Sequence, residues 1–210
     1  EADLVMGVPE SGIPAAEGFA RASGIPYGQG LVKNRYIGRS FIAPTQSLRA
    51  AAVRMKLNPL RDNIVGKRLV VVVDSIVRVT TTQSMIRMLR DAGAAEVHLR
   101  VSSPPYRWPC FYGMDTGSRG ELLAANLTVD EIQRYLDVDS LSYLTVDRLL
   151  EATGTTGAGF CDACLTGDYP VEIPRHLTEG TREEMSSGRA VNLPGASVSI
   201  GLRDESPVLD

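Results

Sequence analysis

The sequence lacks two features that would each indicate a class of protein. It has no basic excess, since 22 lysines and arginines face 25 aspartates and glutamates for a formal net charge of −3, whereas nucleic-acid-binding domains are typically basic. It also has no apolar run of about 18 residues, the length that crosses a bilayer, and its first residues show no signal-peptide pattern. We therefore expect no nucleic-acid partner, no membrane partner and, by default, a cytoplasmic location.

Cysteine is scarce as well, with three residues, Cys110, Cys161 and Cys164. An odd number without a secretory signal argues against a disulfide framework. Cys161 and Cys164 form a C-x-x-C pair, whose spacing suits zinc, an iron–sulfur cluster or a redox-active dithiol. The spacing alone leaves these options open, together with a purely structural role.

Histidine is limited to two residues, and neither matches the position of a catalytic base or a metal ligand. His98 stands in an alternating segment that is typical of a strand, so we interpret it as structural. His176 falls in a polar tail. The single tryptophan, Trp108, precedes Pro109 and Cys110, and we expect it to pack around the cysteines rather than to bind a substrate.

The 210 residues, 43% of them hydrophobic, suffice for the core of one ordinary domain. The chain begins with Glu1 rather than methionine and enters a strand-like segment at once, so we expect a piece of a longer protein. Residues 175–210 contain few large apolar side chains and show no sustained periodicity, which is typical of a disordered tail.

Residues 69–73 are five consecutive apolar residues, which predict a strand buried on both faces of a parallel sheet. The strand leads to Asp74 and Ser75, and three threonines at 80–82 precede a helical pattern. A strand, an acidic residue, a hydroxyl-rich loop and a helix N-terminus form an anion site in many proteins. Asp74 could bind sugar hydroxyls or Mg²⁺ there. An ordinary strand-to-helix connection capped by a threonine explains the same residues.

Strand-like and helical segments alternate along most of the chain. The predicted strands are residues 2–8, 25–32, 69–73, 96–101 and 141–144, and the predicted helices are 15–23, 45–56, 83–91, 119–125, 132–136 and 145–152. This alternation predicts an α/β fold with a mostly parallel sheet flanked by helices. We divide the chain into a domain over residues 1–153, a cysteine-containing segment over 154–174 that packs on it, and the tail over 175–210.

Residues 70–82, VVVVDSIVRVTTT, closely resemble the thirteen-residue phosphoribosyl pyrophosphate (PRPP) signature of type I phosphoribosyltransferases. The Ser-Ile-Val-Arg that follows the acidic residue is similar to the glutamine PRPP amidotransferase family. Further segments match that family in order, namely GLVKNRYIGRSFI, RMKLNPLRD, MLRDAGAAEVHLRVSSPP, WPCFYGMDT, LTVDEI and TGDYPVEIP. The resemblance covers about residues 1–174 and implies a type I phosphoribosyltransferase fold.

The resemblance implies an enzyme in which ammonia displaces pyrophosphate from C1 of PRPP. The product is 5-phosphoribosylamine, and the step is the first of purine synthesis. The family releases the ammonia from glutamine in a separate glutaminase half, and this chain resembles only the other half. The implied partners are therefore PRPP, pyrophosphate and ammonia from a glutaminase domain, in a full-length enzyme that is a homo-oligomer.

The resemblance also assigns candidate residues. Those implied to bind PRPP are Glu10, Ser11, Gly12, Asp74, Ser75, Arg78, Thr80, Thr81 and Thr82. Ser11 and Asp74 would hold Mg²⁺. Lys33, Arg35 and Tyr36 would belong to a mobile loop that closes over PRPP and excludes water. Without the resemblance, residues 9–12 are interpreted as a plain turn and the basic pair as a solvated loop.

A subgroup of the family carries a [4Fe–4S] cluster on four cysteines. The resemblance implies that Cys110, Cys161 and Cys164 are three of those ligands, and that the fourth would lie upstream of Glu1.

Two residues depart from the family pattern inside the PRPP signature. Val73 stands at the first of two acidic positions, so one charged ligand for metal and sugar is missing. Val79 stands at a glycine position, where a β-branched residue costs about 1–3 kcal/mol if φ must be positive. A second hypothesis follows, namely that the chain is a catalytically impaired or inert PRPP-binding or assembly module.

Overall fold

The computed structural model describes residues 1–34, 36, 56–77, 79–114, 119–154 and 159–174, with the backbone alone at 79 and 80. The predicted tail at 175–210, most of the helix predicted at 45–56, and the candidate residues Arg35 and Arg78 lie outside these ranges. The division of the chain into a domain, a cysteine-containing segment and a tail stays a prediction.

Strands and helices alternate as the sequence pattern predicts. The strands are β1 (Leu4–Gly7), β2 (Leu31–Lys33), β3 (Leu57–Pro59), β4 (Arg68–Val73), β5 (Glu96–Val101) and β6 (Ser140–Tyr143). The α-helices are α1 (Ile13–Ser23), α2 (Arg61–Ile64), α3 (Val79–Asp91), α4 (Leu123–Asn126), α5 (Val129–Leu136), α6 (Val146–Ala152) and α7 (Ala163–Thr166), and a 3₁₀ turn covers Arg119–Glu121.

The main sheet has the order β1-β4-β5-β6, and every pairing in it is parallel. Because parallel strands need crossover connections, helices cover both faces. Ala16 and Ala20 of α1 pack against Val5 of β1 and the even-numbered valines of β4 on one face. Helices α3 and α5 pack on the other face over the larger core. The predicted α/β class with a mostly parallel sheet is confirmed.

Strand β4 lies in the middle of this arrangement, and all its residues from Leu69 to Val73 are buried. Side chains alternate between the faces of a strand. Leu69, Val71 and Val73 therefore enter the larger core, whereas Val70 and Val72 face α1. The continuous apolar run thus reflects burial on both faces, as predicted.

The single strand predicted at residues 25–32 is wrong in its extent. Tyr27 makes one bridge to Val5 at the edge of the main sheet, and the chain then leaves that sheet. Strand β2 pairs instead with β3 in a separate antiparallel ribbon. The break falls next to Gly28 and Gly30, where an added Cβ would press on the side chains of Leu4 and Met6.

Helix α3 begins at Val79, four residues before the predicted start at Gln83. Val79 therefore has helical backbone, and Asp137 is the one non-glycine residue with positive φ in the described part of the chain. The cost considered for a β-branched residue with positive φ consequently does not apply at Val79 in this structure. The three threonines at 80–82 lie in the first turn of α3 rather than ahead of it.

The helix termini follow their sequence signals closely. Gly24 ends α1 with a left-handed φ of 74°. Thr128 and Glu131 form a capping box at the start of α5, and Thr145 caps α6. Among the described residues, no helix has the length and apolar character needed to cross a membrane.

Candidate functional site

The loops that follow β1 and β4 meet at the carboxyl edge of the sheet. The N–H of Val8 donates to the carbonyl of Val72 over 2.9 Å. Gly12 is buried beside the same carbonyl, and a Cβ at this position would lie 2.5 Å from the Val72 oxygen. The PRPP candidates Glu10, Ser11 and Gly12 form this loop, which we call the diphosphate loop. It is held directly against the end of β4, and only glycine fits at position 12.

An ion pair joins this loop to β2. The Nζ of Lys33 lies 3.2 Å from Oε2 of Glu10, and both side chains keep contact with solvent. The structure thus brings together one candidate from the diphosphate loop and one from the candidate closing loop. Tyr36 is fully exposed, so the described residues give it no contact with this pair.

Asp74 and Ser75 follow β4 at the same edge. The N–H of Ser75 donates to Oδ1 of Asp74 over 2.8 Å, and the Asp74 side chain is exposed. Ser102, which follows β5, donates from its N–H and its hydroxyl to the carbonyl of Val73 at 2.9 and 3.2 Å. These bonds anchor the end of β4 and leave the Asp74 carboxylate accessible to a ligand.

Val73 has no such access, because its side chain is 6% exposed and belongs to the larger core. The position that the family pattern reserves for a carboxylate is therefore an internal packing position in this chain. Asp74 is the one carboxylate that the described end of β4 offers to a ligand.

The first turn of α3 supplies the remaining candidates. Thr81 is exposed, whereas Thr82 is 8% exposed and packs inward. The first backbone N–H groups of a helix have no partner within the helix and attract anions. Thr81 is thus better placed than Thr82 to add a hydroxyl donor to such a site.

The oxygen atoms at this edge are of the types that coordinate Mg²⁺. Mg²⁺ is usually held by one or two carboxylates together with substrate phosphates and water. Asp74 supplies one exposed carboxylate, and Ser11 supplies an exposed hydroxyl on the neighbouring loop. These two protein oxygens are too few to hold Mg²⁺ alone. They suit a Mg²⁺ ion that is also bound by the diphosphate of a ligand.

The cysteines form a second centre, where the loop after β5 meets α7. Helix α7 contains Cys164, and the N–H groups of Arg107 and Trp108 both donate to the Cys164 carbonyl, at 3.2 and 3.1 Å. The N–H of Tyr112 donates to Sγ of Cys110 over 3.4 Å.

Cys164 is partly buried, and the other two cysteines contribute to the electrostatics of its thiol. Burial raises the pKa of the Cys164 thiol, and the nearby Cys110 and Cys161 raise this pKa further because a thiolate repels like charge. The side chain of Tyr106 acts in the opposite direction and lowers the pKa. All three cysteines are free of disulfides.

Aromatic side chains surround this centre. The ring of Tyr169 lies 5.3 Å from that of Phe111, and its hydroxyl donates to the carbonyl of Pro109 over 2.7 Å. The guanidinium of Arg119 lies 3.9 Å from the centre of the Trp108 ring. Trp108 therefore packs around the cysteine site, as expected.

Gly167 ends α7 with a φ of 90°, and an added Cβ would lie 2.9 Å from the Trp108 ring. Both the backbone conformation and the close ring contact require glycine here. The tryptophan and the helix that carries Cys164 are thus packed directly against each other.

The donor set suits an iron–sulfur cluster in its chemistry. Within the described ranges, no group of three histidine, cysteine or acidic side chains has an arrangement that could hold a single metal ion. A four-iron cluster requires less convergence, because each thiolate binds a different iron atom. The three free thiols, two of them partly buried and that of Cys161 exposed, are sulfur ligands of the type that such clusters use.

His98 has a structural role, as interpreted from the sequence. Its Nδ1 lies 2.9 Å from the hydroxyl of Ser140, and its Nε2 lies 2.9 Å from the carboxylate of Glu96. The ring therefore links β5 to β6 and to its own strand, away from both candidate centres.

Sequence reasoning missed three residues that support the two centres. They are Ser102 at the end of β4, and Tyr106 and Tyr169 beside the cysteines. The serine pair at 102 and 103 directly after a predicted strand could have signalled Ser102, because parallel strands end at a common edge. Nothing in the spacing of the two tyrosines indicates that they meet near Cys164.

Comparisons with known proteins place the chain among its relatives. No protein-family model matches the sequence. The amidophosphoribosyltransferase of Synechocystis is 59% identical over 174 residues, which is 83% of this chain and 35% of the relative. The amidophosphoribosyltransferase of Mycobacterium tuberculosis is 46% identical over 216 aligned positions, which is 99% of this chain and 40% of the relative.

Solved structures give the same result. The PRPP amidotransferase of Bacillus subtilis, in complex with ADP and GMP, is 52% identical and superposes with a TM-score of 0.74 over 83% of this chain and 39% of its own. The parallel sheet, with its candidate loops at the carboxyl edge, therefore has the type I phosphoribosyltransferase fold. Within that class, the chain belongs to the amidophosphoribosyltransferase family. It spans 35–40% of the length of these three relatives.

Proposed function

We propose that this chain is the part of an amidophosphoribosyltransferase that binds PRPP and transfers its phosphoribosyl group to ammonia. The observation that carries the proposal is the meeting of three elements at one edge of the sheet. Glu10 and its loop, Lys33 on β2 and Asp74 after β4 lie together there. The relatives, which are 46–59% identical and named amidophosphoribosyltransferases, support this assignment.

Each group of PRPP has a counterpart in this arrangement. The first turn of α3, with Thr81, suits the 5′-phosphate because helix N-termini bind anions. The loop around Ser11 and the ammonium group of Lys33 suit the diphosphate. Asp74 suits the ribose hydroxyls and a diphosphate-bound Mg²⁺. Catalysis would rest on positioning the sugar and stabilising the charge on the departing pyrophosphate.

The reaction needs little acid–base chemistry from the protein. Ammonia attacks C1 through its lone pair, the bond from C1 to the diphosphate oxygen breaks, and pyrophosphate leaves with the electron pair. The attacking nitrogen then loses a proton to solvent. The closing loop that contains Lys33, Arg35 and Tyr36 would exclude water, since water at C1 would hydrolyse PRPP.

The cysteine centre belongs to the proposal as the site of a [4Fe–4S] cluster. Cys110, Cys161 and Cys164 would hold it, with a fourth ligand from outside this chain. A bound cluster would supply a covalent connection between the loop after β5 and α7. The partial burial of Cys110 and Cys164 beside aromatic side chains supports this role, whereas Cys161 is exposed.

The remaining partners follow from the family. Ammonia would come from a glutaminase domain, and the full-length enzyme would be a homo-oligomer. A cytoplasmic location suits the proposal, since that compartment keeps cysteine thiols reduced.

A second candidate, an impaired or inert PRPP-binding or assembly module, is favoured by one observation. The buried side chain of Val73 leaves the end of β4 with Asp74 as its carboxylate ligand. A site with one carboxylate instead of two would bind Mg²⁺ and the sugar more weakly, and Val79 stands where the family pattern has glycine.

Ammonia-dependent release of pyrophosphate from PRPP separates the two candidates. The enzyme proposal predicts release that requires Mg²⁺ and is lost in Asp74→Asn. Release that is absent from this chain but restored by Val79→Gly, alone or with Val73→Asp, would identify it as an impaired enzyme. Absence of pyrophosphate release in the unchanged chain, in Val79→Gly and in the double variant would contradict the enzyme proposal, provided that thermal unfolding shows the variants to be folded.

A further inference from the structure

Glu10 is a carboxylate in a loop that is a candidate for binding a polyanion. Its charge has the same sign as that of a diphosphate, so the two repel each other unless a cation lies between them. The chain supplies a cation next to Glu10, because the Nζ of Lys33 lies 3.2 Å from Oε2 of Glu10. The role of Glu10 is therefore best sought in its contact with Lys33 rather than in a direct contact with a diphosphate.

The backbone holds both partners of this ion pair. Lys33 is the last residue of β2 and pairs with Leu57 of β3. Glu10 lies in a loop that is closed by the N–H of Gly12, which donates to the carbonyl of Val8 over 3.0 Å. The two side chains are 23 positions apart in the sequence. They meet because the ribbon and the main sheet hold their backbones at this distance.

The ion pair is open to a ligand. The side chain of Lys33 is 27% exposed and that of Glu10 is 52% exposed. An ion pair with this much contact with water stabilises a protein only slightly, since solvent screens the two charges. A ligand group with more negative charge than one carboxylate can therefore displace Glu10 from the ammonium group of Lys33.

We propose that Glu10 is a specificity-determining residue, whose carboxylate occupies on Lys33, in the free chain, the position that the diphosphate of PRPP takes. This inference rests on the proposed function and concerns one contact of its site. A ligand must present a diphosphate in order to displace the carboxylate. Ribose 5-phosphate, which has the 5′-phosphate of PRPP but no diphosphate, leaves the ion pair intact.

The test compares Glu10→Gln with the unchanged chain. Glutamine keeps the length of the side chain but has no charge, so it no longer competes for Lys33. Glu17→Gln is the matched control, because it removes the same charge from an exposed position of α1. Calorimetric titrations with PRPP and Mg²⁺, and separately with ribose 5-phosphate, give the dissociation constants. Thermal unfolding verifies that each protein is folded.

A double-mutant cycle isolates the contribution of the ion pair. Glu10→Gln is also introduced into Lys33→Gln, and its effect on PRPP affinity is compared with its effect in the unchanged chain. Two residues that act through their mutual contact give a coupling that disappears when one of them is already replaced.

We expect Glu10→Gln to bind PRPP about two- to fivefold more tightly than the unchanged chain, which is the range that an exposed ion pair implies. Glu17→Gln should bind PRPP like the unchanged chain. The affinity for ribose 5-phosphate should not differ among these proteins. In the Lys33→Gln background, Glu10→Gln should give no gain in PRPP affinity.

Weaker binding of PRPP by Glu10→Gln would overturn the inference, because the carboxylate would then support the ligand or its Mg²⁺ instead of competing with it. Unchanged binding would also overturn it. So would a gain that Glu17→Gln shares, that persists without Lys33 or that extends to ribose 5-phosphate, since the cause would then be general charge. The PRPP site itself stands in all these cases. Absence of PRPP binding in both the unchanged chain and Glu10→Gln would overturn the proposed function and this inference together.

Discussion

The side chain at position 73 is subject to two requirements, one from the core and one from the family pattern. The strand period directs its side chain into the core beside Val71, and valine satisfies that direction. The family pattern instead places a carboxylate there to serve a ligand at the strand end. The structure shows the first requirement met, so the missing acidic residue is compatible with a well-packed domain even where it weakens a site.

Replacing Val73 by Asp tests how strongly the core holds this position. Since the side chain is buried, we expect the free energy of unfolding to fall by about 2–4 kcal/mol, because a carboxylate loses hydration without gaining a partner. Urea denaturation at neutral pH measures the loss. Val73→Asn is the matched control, because it has the shape of Asp without its charge, and the two variants should converge at low pH.

A Val73→Asp variant as stable as the unchanged chain would contradict this expectation. It would show that the side chain can turn from the core toward the carboxyl edge, where a second carboxylate could serve Mg²⁺.

Gly12 gives a second prediction for a single residue. A Cβ at this position would lie 2.5 Å from the carbonyl oxygen of Val72, so Gly12→Ala must move the loop away from β4. We expect a loss of about 1–3 kcal/mol in the free energy of unfolding, as for other overpacked sites. Gly18→Ala is the control, because nothing lies within 4 Å of its added Cβ in α1, and helix propensity predicts a gain of about 0.5–1 kcal/mol. Thermal unfolding of both variants checks the difference, and equal melting temperatures would contradict the close approach.

At the scale of elements, β1 and β4 are joined by more than their ladder. The guanidinium of Arg68 donates to both oxygens of Asp3, at 3.1 and 2.9 Å, and the Arg68 N–H donates to Asp3 over 2.8 Å. These hydrogen bonds, foremost the one from the Arg68 side chain, lower the pKa of Asp3 from 3.8 to about 2. The pair ties together the amino ends of the two strands whose carboxyl ends form the candidate site.

This ion pair predicts a specific dependence of stability on pH. Because the pKa of Asp3 is lower in the folded state, its stabilising effect is complete above the unfolded pKa of 3.8 and is lost as pH falls toward about 2. The difference in melting temperature between the unchanged chain and Asp3→Asn should be constant near neutral pH and shrink between about pH 4 and pH 2. Asp62→Asn, at an exposed position of α2, is the control. A difference that persists unchanged at pH 2 would contradict the bonded geometry.

Elements were predictable where local chemistry specifies them. The valine run specifies β4, and Thr128 with Glu131 specifies the start of α5 through a capping box that the structure contains. The β2–β3 ribbon was not predictable in the same way. Its strands have three residues each and pair across an intervening segment of more than twenty residues, so no local pattern records their contact.

The candidate site likewise has features that local sequence predicts and features that it does not. The loop with Asp74 could be found from its position after a buried strand, and the resemblance supplied the roles of Ser11 and Lys33. The contact between Lys33 and Glu10, the burial of Val73 and the packing of Trp108 against Gly167 depend on how separate elements pack. Such contacts between distant parts of the chain leave no signal in local sequence.

At the scale of the whole molecule, the fold gathers two centres on the carboxyl side of one sheet. The loops after β1 and β4 form the candidate PRPP site, and the loop after β5 leads to the cysteines. Because β4 and β5 are neighbours linked through Ser102, a change in the cysteine loop could reach the end of β4 through that serine. The chain spans 35–40% of its relatives, so its activity is proposed for the longer protein as well as for this part.

The most direct test of the proposed function is a calorimetric titration of this chain with PRPP in the presence of Mg²⁺. A PRPP site at the carboxyl edge predicts saturable binding that requires Mg²⁺ and weakens at least about tenfold, or 1.4 kcal/mol, in Asp74→Asn. Asp91→Asn, at the far end of α3, should bind like the unchanged chain. No heat of binding at millimolar PRPP, or binding that Asp74→Asn leaves intact, would contradict a PRPP site at this edge of the sheet.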